Sequence, residues 1–191
     1  MNILEILAAI STVLCVYLTY RSNILCWPFG IIGVILYSII FGNNSNWINM
    51  SLQIVFLIQS IIGWVKWNKN TKISHLNGRP SFIMSLVFSI ILPIVLYNIS
   101  IFFSGSDSIL DSLTSSLSLF GIYLTSNRKI ESWIVWGICD ILMIVLFLKS
   151  GLYFSSFIYL ILLILCIFGY YNWKIRTRID KLFKKIDVQK I

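Results

Sequence analysis

The chain has few charged side chains, and this shortage decides its class. Only 12% of its 191 residues are Asp, Glu, Lys or Arg, while 58% are hydrophobic. In an average soluble domain about a quarter of the residues are charged. The composition therefore excludes an ordinary soluble domain and indicates an integral membrane protein surrounded by a lipid bilayer. The net charge of +8 does not indicate a nucleic-acid partner in so apolar a chain, because the basic residues lie in the loops between apolar runs and in the tail that follows the last run.

Residues that commonly carry catalysis or bind metals are also scarce. The only histidine, His75, lies in a polar loop, and the four cysteines form no Cys-x-x-Cys pair. We therefore expect no disulfide framework, no metal site and no cofactor. The chain has no Gly-x-Ser-x-Gly sequence and no phosphate-binding glycine-rich loop, so we predict no catalytic residues and no enzyme activity.

Seven apolar runs make up most of the chain, and each is about as long as a membrane-spanning helix. They cover residues 3–20, 24–42, 47–66, 82–103, 108–126, 131–149 and 152–173. In lipid the backbone polar groups must bond within their own segment, so each run is predicted to be helical. The predicted fold class is an all-α membrane protein with seven transmembrane helices.

The basic residues predict how these helices are oriented. Alternate loops lie on opposite sides of the membrane, and every Lys and Arg except Lys149 falls on one side. Loops rich in Lys and Arg stay in the cytoplasm, so the N-terminus should be outside and the C-terminus cytoplasmic. Residues 174–191 form a basic amphipathic tail, predicted to lie on the inner membrane surface. Its apolar face contains Ile175, Ile179, Leu182, Phe183 and Ile186.

The first and last thirds of the chain match without a gap when position i is aligned with position i+106, a relation that we call the repeat shift. The matched positions include Trp27 with Trp133, Tyr17-Leu18-Thr19 with Tyr123-Leu124-Thr125, and Gly63 and Trp67 with Gly169 and Trp173. The repeat shift crosses an even number of helices, so both copies should enter the membrane from the same side. This predicts parallel three-helix repeats at 1–67 and 107–173, a loop and linker helix at 68–106, and the tail at 174–191. Parallel repeats occur in transporters, with substrate bound between them; the alternative is a duplicated scaffold without a pathway.

Polar side chains within the apolar runs mark a candidate binding site. Trp133, Trp136 and Asp140 recur at spacings of three and four, so they share one helical face. A carboxylate inside a membrane helix costs about 2.5–3.5 kcal/mol on insertion scales and commonly marks a functional site. The alternative is that Asp140 only binds a neighbouring helix or is neutral. The other candidates are Tyr37, Asn49, Gln53, Gln59 and Tyr159. Together they suit a flat, cationic heteroaromatic ligand with hydroxyl groups; alternatively, the amides only join helices.

Several blocks of sequence resemble one transporter family. They are WPFGIIGVILY at 27–37, Leu52-Gln53 followed by Gly63, Trp64 and Trp67, and ESWIVWGICD at 131–140 with the later GLYFSSFIYL and GYYNW. Their order and spacing resemble the bacterial PnuC-type nicotinamide riboside transporters over nearly the whole chain. The resemblance implies a SWEET-like fold of three, one and three helices, assembled as a homotrimer.

The resemblance also implies a function. It implies import of nicotinamide riboside, an NAD precursor, across the bacterial inner membrane by facilitated diffusion. Family members bind substrate partly through Trp-x-x-Trp-x-x-x-Asn in the sixth helix; Trp133 and Trp136 match it, and Asp140 replaces the asparagine. Gln53 matches the family's third-helix glutamine. Related members carry thiamine or other vitamins, and thiamine is also a cation, so a thiamine transporter is an alternative. A non-transporting scaffold or accessory protein is an alternative of another class.

Overall fold

The computed structural model describes residues 3–43, 47–69, 72–76, 83, 87–104, 109–149 and 151–189, and these contain seven α-helices. The helices are α1 (Ile3–Tyr20), α2 (Cys26–Asn43), α3 (Trp47–Lys69), α4 (Leu92–Ser104), α5 (Ile109–Ser126), α6 (Ser132–Lys149) and α7 (Tyr153–Gln189). The prediction of an all-helical chain with seven helices is confirmed. A π-helical turn, Val87–Ile91, leads into α4. It precedes Pro93, which lacks an N–H group and crowds the carbonyl four residues earlier.

Four of the helices in the described part of the chain are long and apolar enough to cross a membrane: α1, α2, α6 and α7. Helix α4 has only 13 residues in its regular part. Helix α5 carries Ser112, Thr114 and Ser116, which are buried inside the protein. The less apolar character of α5 therefore reflects polar side chains that face the bundle interior.

The helices form two groups that meet along two seams. Helices α1, α2 and α3 pack in chain order, and α5, α6 and α7 do the same. We call these the first and the second helical group. They contact each other through α1 against α7 and through α3 against α5, while α4 packs against α5. The repeat shift carries α1 onto α5 and α3 onto α7, so it exchanges one seam for the other.

Four buried tryptophans, which we call the tryptophan cluster, lie where the two groups meet: Trp27, Trp67, Trp133 and Trp173. Trp27 stands edge-on to Trp67 with ring centroids 5.4 Å apart, and Trp133 stands edge-on to Trp173 at the same distance. Trp67 and Trp173 join the two pairs at 6.0 Å. Edge-to-face indoles at these distances attract each other in addition to burying apolar area.

Glycines and backbone carbonyls position this cluster. The rings of Trp27 and Trp133 lie against Gly63 and Gly169, where a Cβ atom would collide with the indole. Trp67 Nε1 donates to the carbonyl of Thr125 at 3.0 Å, and Trp173 Nε1 donates to that of Thr19 at 3.2 Å. Each hydrogen bond crosses from one helical group to the other. The repeat shift also relates these two sets of contacts.

The turns that follow α1 and α5 have the same backbone conformation. Ser22 and Arg128 both have positive φ angles, of 56° and 52°. Each turn closes with the pair of hydrogen bonds that defines a Schellman motif. The longer-range bond of each pair is Asn23 N to Leu18 O at 2.9 Å and Lys129 N to Leu124 O at 3.0 Å. We call this end of the bundle the basic end, because Arg21, Lys66, Lys69, Lys129 and Lys174 lie there.

Helix α7 continues without a break into the tail. It has 37 residues, which at 1.5 Å per residue makes it about 55 Å long, whereas α1 and α6 have 18 residues each. No glycine or proline follows Gly169 to end the helix earlier. Residues 174–189 of the tail are therefore the end of α7, and the apolar residues Ile175, Ile179, Leu182, Phe183 and Ile186 are exposed.

Candidate functional site

A cavity of about 270 Å³ lies between the two helical groups. All six helices of the two groups line it, and none of its described lining residues belongs to α4. The repeat shift relates many of the lining positions, such as Thr19 with Thr125 and Gln53 with Tyr159. The cavity therefore follows the interface between two similar helical groups, while the side chains that line it differ between them.

Six of the eight predicted site residues line this cavity: Tyr37, Gln53, Trp133, Trp136, Asp140 and Tyr159. Gln59 is not among the described lining residues. It lies six positions after Gln53, and six residues turn an α-helix about 240° away from the starting face. The side chain of Asn49 lies outside the described residues. The structure thus brings together side chains from α2, α3, α6 and α7 that are far apart in sequence.

Asp140 is the acidic residue of this site. It lies in the middle of α6 and is only 4% exposed, and Cys166 Sγ donates a hydrogen bond to its Oδ2 atom at 3.3 Å. Among the described residues that line the cavity, Asp140 is the only Asp or Glu, and none is Lys, Arg or His. An ionised Asp140 can therefore stabilise a cation in the cavity, and the described lining residues offer no basic side chain to an anion.

Trp136 is held in place by two residues that were not among the predicted site residues. Its Nε1 donates to Thr125 Oγ1 at 3.0 Å, and Thr125 Oγ1 donates to the carbonyl of Gly121 at 2.9 Å. A Cβ atom on Gly121 would stand 2.8 Å from the Trp136 ring, so the ring needs the glycine. The only sequence signal for Thr125 was its place in the repeated Tyr-Leu-Thr register.

The tryptophan cluster borders the cavity at the basic end. Trp27 and Trp133 belong both to the cluster and to the cavity lining. Their Nε1 atoms are buried and have no hydrogen-bond partner among the described residues. Arg128 lies over Trp67 at the same end, with Cζ 3.8 Å from the ring centroid. Burial lowers the pKa of Arg128 to about 10, so the guanidinium stays charged at neutral pH.

Comparison with known proteins identifies the family. The family model described as "Nicotinamide mononucleotide transporter" matches residues 2–175, almost the whole chain. The chain belongs to the nicotinamide mononucleotide transporter family. The resemblance inferred from the sequence blocks is thereby confirmed, and as a member of a transporter family with several apolar helices the chain is a multi-pass membrane protein.

The relatives that this chain matches are named for different vitamins. The nicotinamide riboside transporter PnuC of Escherichia coli is 25% identical over 89% of this chain and 84% of its own length. The PnuC of Haemophilus influenzae is 27% identical over 89% of this chain and 78% of its own length. The riboflavin/roseoflavin transporter RibM of Streptomyces davaonensis is 22% identical over 85% of this chain and 80% of its own length.

A solved structure gives the fold. The crystal structure of the vitamin B3 transporter PnuC superposes with a TM-score of 0.71, covering 92% of this chain and 82% of that chain at 23% identity. This family member thus has the fold of PnuC. Because the named relatives carry both a riboside and a flavin, the chemistry of the cavity has to supply the argument for the substrate.

Proposed function

We propose that this protein imports nicotinamide riboside across the bacterial inner membrane by facilitated diffusion, and that the substrate binds in the central cavity. One observation carries the proposal. Six side chains that were predicted from the sequence to bind substrate lie around one cavity between the two helical groups. The chain also belongs to a transporter family.

The chemistry of the cavity supports a cationic riboside. The pyridinium ring of nicotinamide riboside carries a fixed positive charge, which Asp140 would stabilise at low dielectric. Trp133 and Trp136 would contact the flat ring through stacking and cation–π attraction. Gln53, Tyr37 and Tyr159 offer hydrogen-bonding groups to the carboxamide and the ribose hydroxyls. We propose only a supporting role for Asn49 and Gln59, which lie on α3 together with Gln53.

The same chemistry disfavours the phosphorylated mononucleotide that appears in the family's description. No described lining residue is Lys, Arg or His, so a phosphate would enter without a basic partner. It would also approach the buried carboxylate of Asp140. Burying a doubly charged anion without compensation is strongly unfavourable. The unphosphorylated riboside is therefore the proposed substrate.

We also propose a SWEET-like arrangement of parallel repeats, with residues 1–67 and 107–173 as repeats, 68–106 as the linker and 174–191 as the tail. The exchanged seams, the paired indole contacts and the matching Schellman turns support it. The distribution of basic residues supports an outside N-terminus and a cytoplasmic C-terminus. A homotrimer is proposed from the resemblance.

A thiamine transporter is the second candidate, and Asp140 is the observation that favours it. Thiamine also carries a fixed positive charge, and a carboxylate stands here where the resemblance to the riboside transporters implies asparagine. A scaffold or accessory protein without transport is a third possibility, although a scaffold does not need a cavity with a buried charge at its centre.

Uptake into proteoliposomes tests these alternatives. Radiolabelled nicotinamide riboside should enter saturably without an imposed ion gradient, and a protonophore should leave the rate unchanged. Excess unlabelled nicotinamide riboside should compete, whereas nicotinamide mononucleotide should not. Uptake of thiamine without uptake of the riboside would replace the first proposal by the second. Absence of saturable uptake for both would favour the scaffold.

A further inference from the structure

A short segment between α3 and α4 crosses the basic end of the bundle. Residues 72–76, which we call the strap, lie against the turn between α5 and α6. Ser74 forms an isolated parallel β-bridge with Lys129. Ser74 N donates to the carbonyl of Arg128 at 3.1 Å, and Ile130 N donates to the carbonyl of Ser74 at 3.1 Å. The strap is therefore fixed to the turn by backbone hydrogen bonds.

Two charged side chains of the turn strengthen this attachment. The Glu131 carboxylate accepts a hydrogen bond from Leu76 N at 2.9 Å and contacts His75 Nδ1 at 3.0 Å. Lys129 Nζ donates to Ser74 Oγ at 2.9 Å and to the carbonyl of His75 at 3.1 Å. Hydrogen bonds to charged groups are about twice as strong as those between neutral groups. Glu131 directly precedes α6, the helix that carries Trp133, Trp136 and Asp140.

The strap also contributes to the closure of the cavity. Ile73 is 8% exposed and belongs to the same buried cluster as Trp27 and Trp133, which line the cavity. The strap thus lies over the tryptophan cluster at the basic end and adds an apolar side chain to it. A ligand that leaves the cavity at this end has to pass the cluster, so the cluster and the strap must separate.

The charged contacts that Lys129 and Glu131 make with the strap have no equivalent in the turn of the first helical group. The turn after α1 has the same backbone conformation as the turn after α5. However, it carries Asn23 and Leu25 at the positions equivalent to Lys129 and Glu131. These side chains cannot supply an ammonium or a carboxylate to the strap. The two turns therefore share one backbone geometry, but only the turn after α5 has charged side chains at these two positions to bind the strap.

The closed cluster has an energetic cost that favours opening. The Nε1 atoms of Trp27 and Trp133 are buried without a hydrogen-bond partner among the described residues. A buried donor without a partner destabilises the state that buries it. Opening of the basic end would let water reach both donors. A closed state that carries this cost needs stabilising contacts elsewhere, and the strap supplies such contacts.

We propose that the strap is a latch that holds the basic end of the cavity closed, and that Glu131 is the positioning residue that fastens it to the start of α6. The latch rests on the proposed transport function, because it controls the exit of substrate. Release of the strap would free the start of α6 and let the tryptophan cluster separate.

Native Cys26 reports opening without any substrate. It is 1% exposed, belongs to the buried cluster and lines the cavity. The initial rate of its modification by N-ethylmaleimide can be measured by peptide mass spectrometry on purified protein in detergent. Cys139, which is buried and is not among the described lining residues, serves as an internal reference for unfolding.

Glu131→Ala should make Cys26 react about tenfold faster, since hydrogen bonds to a charged group are lost. Glu131→Gln, which can still accept from Leu76 N, should give an intermediate rate. Asp180→Asn removes an exposed carboxylate beyond the basic end and should match the wild type. Cys139 should remain slow in all variants. Equal Cys26 rates in Glu131→Ala and the wild type would overturn the latch, as would parallel acceleration at Cys139.

A reversible lock provides the second test. Ser74 and Lys129 are β-bridge partners, and neighbouring strands bring Cα atoms within the range of a disulfide. The double variant Ser74→Cys with Lys129→Cys should lose uptake when oxidised and regain it when reduced. Undiminished uptake with the disulfide verified by mass spectrometry would overturn the proposal. The labelling experiment does not depend on the substrate, so the latch can fail or succeed independently of nicotinamide riboside transport.

Discussion

Asp140 is the residue whose charge should matter most for substrate binding. Asp140→Ala should abolish uptake, because it removes both the charge and the hydrogen-bonding oxygens from a buried position. Asp140→Asn keeps the shape and removes the charge, so it should retain uptake with a KM for a cationic substrate raised about tenfold. Initial rates in proteoliposomes measure both effects.

An uncharged competitor separates charge from shape at this residue. Reduced nicotinamide riboside has the same substituents without the positive ring charge. It should inhibit wild-type uptake weakly and should inhibit the Asp140→Asn protein comparatively better. An unchanged KM for the oxidised riboside in Asp140→Asn would show that the carboxylate does not contact the cation.

Gly63 and Gly169 are the residues that allow the indoles of Trp27 and Trp133 to approach α3 and α7. A Cβ at Gly169 would stand 2.5 Å from the Trp133 ring, and one at Gly63 would collide with Trp27. Gly63→Ala and Gly169→Ala should each destabilise the protein by about 1–3 kcal/mol, measured as a lower midpoint of thermal unfolding in detergent.

Gly137→Ala is the matched control for these two substitutions. Gly137 also lies within a helix, but a Cβ there would make an ordinary contact of 3.7 Å with Leu163. Alanine is favoured over glycine within a helix by up to about 1 kcal/mol. The control should therefore unfold at the same temperature as the wild type or higher. If all three substitutions behave alike, the close approach of the indoles is not what requires glycine.

At the scale of secondary-structure elements, the two Schellman turns offer a comparison within one molecule. Ser22→Gly should stabilise the protein by about 0.5–1 kcal/mol, because glycine adopts a positive φ without strain. Arg128→Gly relieves the same strain but removes the guanidinium from the Trp67 face. It should therefore destabilise the protein. Thermal unfolding of both variants checks the opposite signs; stabilisation by Arg128→Gly would mean that the cation–π contact contributes little.

The sequence predicted the helices well because each is an apolar run bounded by polar turn residues. The start of α2 near Trp27 and the start of α6 near Trp133 lie close to the predicted run ends. Two features did not follow from hydropathy. The π-helical turn before Pro93 depends on local backbone crowding, and the continuity of α7 depends on the absence of a helix breaker after Gly169.

At the scale of the whole molecule, the repeat shift anticipated which indoles and glycines meet. It did not anticipate the strap, since residues 72–76 and 128–131 belong to polar loops without a periodic pattern. The site was predictable where one helical face carries it, as for Trp133, Trp136 and Asp140. It was not predictable where two helices meet, because the bond from Trp136 to Thr125 requires their relative position.

Two indole hydrogen bonds connect the two helical groups and should contribute to the stability of the protein. Trp67 and Trp173 each donate to a carbonyl of the opposite group, and their rings lie 6.0 Å apart. Trp67→Phe and Trp173→Phe should each destabilise the protein by about 1–3 kcal/mol, because each replaces the indole by a smaller ring and removes its hydrogen bond. Unfolding by SDS in mixed micelles provides the free energies.

The loss of unfolding free energy in the double variant should differ from the sum of the two single losses by at least about 0.5 kcal/mol. Residues in contact are energetically coupled, so their effects do not add. Trp64→Phe is the control on α3: Trp64 is 42% exposed and should change stability little. Strict additivity would mean that the two hydrogen bonds act independently. Coupling would instead make the tryptophan cluster a single joint between the helical groups, so that any movement that opens the basic end must rearrange both bonds together.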